Sequence, residues 1–153
     1  MTLNITRCDF MKLTSLLAVG AGGAILVGCA ADPNVPLAPD GSYRREGKQV
    51  FVALPAIEHL HNPGTAVKLN TAGGNKPDIL LLHTAERGYT AFANRCTHFG
   101  EELVYNPKEK CIECSIETSE FDLQGKVLRG PAQSHLLAYP CLLNGEEIII
   151  QLT

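Results

Sequence analysis

The feature that most constrains this chain is the stretch from Arg95 to Ala132, RCTHFGEELVYNPKEKCIECSIETSEFDLQGKVLRGPA. A Cys-x-His pair, Cys96 and His98, is followed after fifteen residues by a third donor, Cys114. Thiolate and imidazole are soft and borderline ligands, the kind that zinc and iron–sulfur iron select. Donors divided in this way sit on two loops that the fold has to bring together. Three residues after Cys114, where another imidazole would complete two matching pairs, stands Glu117. Three residues before Cys114 stands Cys111, which makes a Cys-x2-Cys pair with it.

The rest of the chain reads as scaffold. A length of 153 residues suits one domain, and 14 Gly and 9 Pro with few aromatics favour a loop-rich β protein over a helix bundle. Gln49 to Leu54 is an apolar, β-branched run closed by Pro55, and so a strand. The turn signal Asn62-Pro63-Gly64 precedes a short strand at Ala66 to Asn70, and Gly73-Gly74-Asn75 with Pro77 marks a second turn. Ile79 to His83 is a continuous apolar strand of the kind buried on both faces. Arg87-Gly88 turns the chain into Tyr89 to Ala93. Cys141 to Leu143 and Glu147 to Leu152, joined by Asn144-Gly145, read as a hairpin with a type I′ turn. Short strands at about ten-residue spacing predict an all-β fold, a small antiparallel sandwich or barrel. Ile57 to Leu60 leaves room for one helical turn.

The amino-terminal segment reads as an address. Arg7 and Lys12 precede a fifteen-residue apolar run, Leu13 to Val27, short of the roughly 20 residues a membrane-spanning helix needs. The run ends Leu26-Val27-Gly28-Cys29 and resembles a bacterial lipobox, which implies a signal peptide over 1–28 and lipidation of Cys29. Thr6-Arg7-Cys8-Asp9-Phe10-Met11-Lys12 resembles a twin-arginine export signal with Cys8 in place of the second arginine. Pro33, Pro36 and Pro39 among small and polar neighbours give residues 29–43 the character of an extended tether, with the globular domain over 44–153. The implied location is outside the cytoplasm, on a membrane surface facing the periplasm or the cell exterior.

The two donor loops, followed by Ser119, Phe121, Asp122, Gly125 and Gly130-Pro131-Ala132, resemble the Rieske [2Fe-2S] family over about residues 48 to 152. That resemblance implies an antiparallel sandwich or barrel with a two-loop cluster-binding subdomain. It also implies Cys96 and Cys114 on a buried iron, His98 on an outer iron, Gly125 at a tight turn and 130–132 as a loop covering the cluster. The family's second histidine is Glu117 here, its following glycine is Thr118, and Glu101 and Ile116 occupy the positions of an inter-loop disulfide present in some members.

Four chemical readings of the donors stay open. A [2Fe-2S] cluster takes Glu117 or an external ligand at the outer iron; or Cys111 completes a set of three Cys and one His. Alternatively Cys96, His98, Cys111 and Cys114 bind one zinc, or the fold persists without metal as a structural or interaction subunit. The expected function is a membrane-tethered electron-transfer protein or oxidoreductase subunit rather than a stand-alone enzyme, working with a redox partner protein. A net charge of −3 without any run of Lys or Arg offers no electrostatic footprint for nucleic acid or anionic headgroups. Cys141 reads as a small buried residue, His59 and His61 as solvent-facing, and His135 as the remaining histidine nearest the cluster.

Overall fold

The computed structural model describes residues 35–153. The signal-like segment 1–28, Cys29 and the first residues of the tether lie outside the described residues. Twelve strands follow in chain order: β1 (Tyr43–Glu46), β2 (Gln49–Ala53), β3 (Thr65–Leu69), β4 (Ile79–Thr84), β5 (Gly88–Ala93), β6 (Leu103–Asn106), β7 (Cys111–Cys114), β8 (Glu120–Phe121), β9 (Val127–Arg129), β10 (Ala138–Tyr139), β11 (Cys141–Asn144) and β12 (Glu147–Gln151). Two 3-10 turns, Leu54–Ala56 and Glu58–His61, lie between β2 and β3. Among the described residues no helix is long and apolar enough to cross a membrane.

The strands form three four-stranded sheets of order β1-β2-β12-β11, β10-β5-β4-β3 and β6-β7-β8-β9, and every pairing between strands is antiparallel. The second sheet is the middle layer. Side chains alternate along a strand, so Val67, Leu69, Ile79, Leu81 and Ala91 face the first sheet and pack on Val50, Val52, Ile148 and Ile150. The intervening Ala66, Leu80, Leu82 and Phe92 face the third sheet and pack on Leu103, Ile112 and Phe121. Ile79 to Leu82 are each at most 1% exposed, so the two-sided burial expected of that apolar run is present.

Two features differ from the sequence reading. The closing hairpin pairs Asn144 with Glu147, which places Gly145 and Glu146 at the turn's centre. Gly145 has φ 62 and Glu146 is not in the positive-φ region, so the turn has the type II′ pattern rather than type I′. The stretch from Arg95 to Ala132, read as two loops inserted between strands, contains a sheet of its own. Its strands are two to four residues long, too short to show a two-residue period.

The chain upstream of β1 is also built into the domain. Lys68 N–H donates to Pro36 O at 2.9 Å and Ala38 N–H to Lys68 O at 2.8 Å, which lays residues 36–38 parallel to β3 along its edge. Ala38 is 4% exposed and Ser42 1%.

The loop after β9 is held by the most demanding contact in the fold. Gly130 has φ 99, and a Cβ there would lie 2.5 Å from both Ser119 Cα and Thr118 O. Two residues on, Ala132 N–H donates to Ser119 Oγ at 3.2 Å. We expect Gly130→Ala to cost about 3 kcal/mol or more, because left-handed strain of about 1–2 kcal/mol is compounded by a clash with backbone. Gly47→Ala, at φ 60 with open space around it, is expected to show only the strain. Urea denaturation of the two variants beside the parent measures the difference, and equal losses would overturn the packing role of Gly130.

Candidate metal centre

The first donor loop leaves β5 and returns as β6, and Asn94 closes its base. The Asn94 side chain accepts from Leu103 N–H at 2.9 Å and donates to Pro77 O at 3.0 Å. Inside the loop, Cys96 N–H donates to Glu101 O at 2.7 Å and Gly100 N–H to Cys96 O at 2.8 Å. Gly100 has φ 79, the conformation that lets the chain double back over the donors. The second loop spans the end of β7 and the start of β8 and is closed by Cys114 N–H donating to Ser119 O at 2.9 Å. The loops are tied to each other by Ser115 N–H donating to Glu102 O at 2.9 Å. No disulfide joins them, since Cys96 and Cys114 are free.

This arrangement sorts the donors by depth. Cys96 is 2% exposed and Cys114 6%. Their thiols are in hydrogen-bonding contact, and burial first, then the neighbouring Cys96 thiol, pushes the Cys114 thiol up from its usual range. Opposing that shift, the backbone N–H groups of Ile116 and Glu117 point at the Cys114 sulfur, where they favour a thiolate. Farther out, His98 Nδ1 and Glu117 Oε2 are 2.5 Å apart across the two loops, with side chains 30% and 22% exposed. The His98 ring leans on Phe99 with centroids 3.9 Å apart. Phe99 and Ile116, next to the outer donors on their respective loops, are exposed.

Cys111 stands apart. It is three residues from Cys114 on one strand, so alternation turns it to the other face, roughly 10 Å along the chain. Its thiol donates to Glu113 Oε1 at 3.5 Å, on that same face. Ile112 and Cys114 belong to the core beneath the loops, which does not include Cys111. A Cys111-completed cluster or a Cys3His zinc site would therefore require β7 to be rebuilt. Among the described residues no three Cys, His, Asp or Glu side chains converge on one point. What the loops assemble is two pairs, an inner pair of thiols and an outer imidazole with a carboxylate. Two buried thiols beneath an imidazole are the donor types of a [2Fe-2S] group held by Cys and His, and the carboxylate of Glu117 lies against that imidazole.

The remaining histidines fall as their neighbours dictate. His83 Nδ1 lies 2.8 Å from Leu60 O and its ring stacks on Tyr89, while His59 Nε2 lies 3.3 Å from Ala66 O. His135 lines a shallow cleft of about 820 Å³ beside His98 and Phe99. Cys141, read as a small buried residue, is only partly buried against the first core, and that burial pushes its thiol up to about 12. Sequence reasoning missed Lys68, whose Nζ reaches Glu102 Oε2 at 2.7 Å and so ties β3 to the first loop. A lysine inside the apolar run from Ala66 to Leu69 was the available signal, because a charge on a buried strand face requires a partner. Thr97, which donates to Ser134 O at 2.7 Å and pins the first loop to the segment after β9, carried no such mark.

Comparison with known proteins agrees with this geometry. The model of the Rieske [2Fe-2S] domain matches residues 51–140. The chain is 31% identical over 116 residues to the cytochrome b6-f complex iron-sulfur subunit 3 of Nostoc sp., covering 74% of this chain and 53% of that protein. It is 27% identical over 143 residues to the chloroplastic cytochrome b6-f complex iron-sulfur subunit of Pisum sativum, covering 89% of this chain and 62% of that one. It thus spans between about half and three fifths of the length of these curated relatives. In fold it is similar to the ferredoxin of carbazole 1,9a-dioxygenase from Nocardioides aromaticivorans, with a TM-score of 0.51 at 22% identity over 63% of this chain and 91% of that one. With the family match running through both donor loops and the middle sheet that carries them, the chain belongs to the Rieske [2Fe-2S] domain family, whose cofactor is a [2Fe-2S] cluster.

Proposed function

We propose that this protein is an exported one-electron carrier, held at a membrane surface by a lipid on Cys29, that passes electrons between a donor and an acceptor protein. The observation that carries the reading is the two-tier donor set, buried Cys96 and Cys114 beneath the paired His98 and Glu117. In this reading Cys96 and Cys114 hold the inner iron, while His98 and Glu117 hold the outer one. The cluster, when bound, supplies one-electron redox chemistry.

The chain's own residues tune that chemistry. The N–H groups of Ile116 and Glu117 stabilise the Cys114 thiolate. Glu117 brings a negative charge to a position where a neutral imidazole would add none, which disfavours the reduced state and lowers the potential. Lys68 and Glu102 hold the first loop on the middle sheet. The lipid anchor rests on the lipobox-like Leu26-Val27-Gly28-Cys29, and a membrane-associated partner is consistent with the cytochrome b6-f complex subunits among the relatives.

Purified full chain should contain about two iron and two acid-labile sulfide and show a reduced-state paramagnetic signal. Cys111→Ala should leave that content unchanged. One zinc without sulfide, or no metal after anaerobic reconstitution, would overturn the cluster reading.

Glu117→His should raise the reduction potential by on the order of 100 mV. One unit charge about 5 Å away at an effective dielectric near 20 is worth about 3 kcal/mol. Spectroelectrochemical titration measures the shift, and an unchanged or lower potential would remove Glu117 from the outer iron.

Cys29→Ser should move the protein from the membrane fraction to the soluble fraction on cell fractionation. Retention in the membrane would refute the lipid anchor.

A further inference from the structure

Glu101 and Glu102, where the first donor loop returns to β6, present consecutive carbonyls to the segments that carry the two inner donors. Glu101 O accepts from Cys96 N–H at 2.7 Å, and Glu102 O accepts from the N–H of Ser115, the residue after Cys114, at 2.9 Å. One short piece of backbone therefore sets where the two thiol-bearing segments stand relative to each other. Its side chains decide its own position. Lys68 Nζ donates to Glu102 Oε2 at 2.7 Å, with the Lys68 side chain 10% and the Glu102 side chain 27% exposed. Lys76 Nζ donates to Glu101 Oε2 at a longer 3.3 Å, with side chains 62% and 34% exposed.

The register of β3 aims Lys68 at this backbone. Lys68 lies opposite Leu80, and alternation turns it to the face of the middle sheet that Ala66 and Leu80 share with Cys96 in the core below the loops. Its N–H donates to Pro36 O and its carbonyl accepts from Ala38 N–H, so the base of the side chain is held. An ammonium on an apolar face is costly unless a partner meets it. Yet replacing a buried ion pair by apolar side chains of similar volume often leaves stability unchanged, so stability alone is a poor reason for this pair. Direction is a better one. A charge-assisted hydrogen bond fixes where Glu102 sits, whereas apolar burial is non-directional. The exposed Lys76–Glu101 pair is of the kind that contributes little.

We propose that Lys68 is a positioning residue for the metal centre. Acting through Glu102, it fixes the backbone of 101–102 and with it the spacing of Cys96 and Cys114. The inference rests on the cluster reading above for its effect on cluster retention, while the ordering of the two loops follows from the hydrogen bonds of the chain itself.

The test compares the purified full chain with three variants, Lys68→Met, Lys68→Met with Glu102→Met, and Lys76→Met. Amide hydrogen exchange, the urea midpoint and the half-life of the visible absorbance under an iron chelator are measured for each. Lys68→Met leaves a carboxylate without its partner and is expected to lower the urea midpoint. The doubly apolar variant leaves no such charge and is expected to keep a midpoint near the parent's. Its exchange is expected to rise several-fold in peptides covering 95–102 and 114–119 but not 79–84, with the absorbance lost several-fold faster. Lys76→Met is expected to behave as the parent does. Loop exchange that rises no more than that of 79–84 in the doubly apolar variant would overturn the positioning role, as would an equal loop effect from Lys76→Met. Unchanged cluster retention in that variant, where the parent carries iron and sulfide, would overturn it too. A parent without iron or sulfide refutes the cluster reading alone, because the exchange comparison still decides what Lys68 does.

Discussion

Everything in this domain leans on a middle sheet that buries both of its faces. The four residues Ile79 to Leu82 point alternately into two separate cores and are at most 1% exposed. At about 1.5–3 kcal/mol for each fully buried aliphatic side chain, this short run alone contributes on the order of 6–12 kcal/mol of apolar burial. Because both faces are occupied, the sheet cannot slip by one residue without moving every side chain into the wrong core. That rigidity is what the donor loops need. They are irregular and partly exposed, and their geometry is inherited from Ala93 at the end of β5 and Cys114 at the end of β7.

The loops then hold each other by polar contacts rather than by a covalent bridge. Ser115 N–H to Glu102 O, His98 to Glu117 and Thr97 Oγ1 to Ser134 O each join segments that are far apart in sequence. Lys68 extends this network downward into the sheet through Glu102. The pair is largely buried, and loss of one partner would leave a charge in a low-dielectric setting at a cost of about 3–5 kcal/mol. Placing the thiols deep and the imidazole and carboxylate shallow separates two tasks. The inner pair sits where water is excluded, and the outer pair sits at the surface, where a partner can approach.

Much of this was legible in the residues. Val50, Val52, Ile79 to Leu82 and Ile148 to Ile150 are apolar runs bounded by Gly, Pro and Asn, and they became the strands expected of them because period and turn signals agreed. The Cys-x-His and Cys spacing pointed to the family whose model matches residues 51–140, because those donors have few other uses in such proximity. The third sheet was not legible, since strands of two to four residues cannot display a period and are stabilised by contacts made elsewhere. The closing turn was misread for a similar reason. Asn144-Gly145 suits a type I′ turn locally, but pairing of β11 with β12 and of β12 with β2 set the register one residue away.

The sequence by itself determined the all-β class, the two-sided central strand and the family to which the two Cys/His-bearing loops belong, because each follows from side-chain chemistry and short-range pattern. Only the tertiary structure decided which donors meet. It turned Cys111 to the far face of β7, paired His98 with Glu117, and brought Lys68 under the first loop. It also laid residues 36–38 parallel to β3 along its edge. These outcomes depend on strand register and layer stacking, and register is settled by the whole core at once rather than by any segment of the chain.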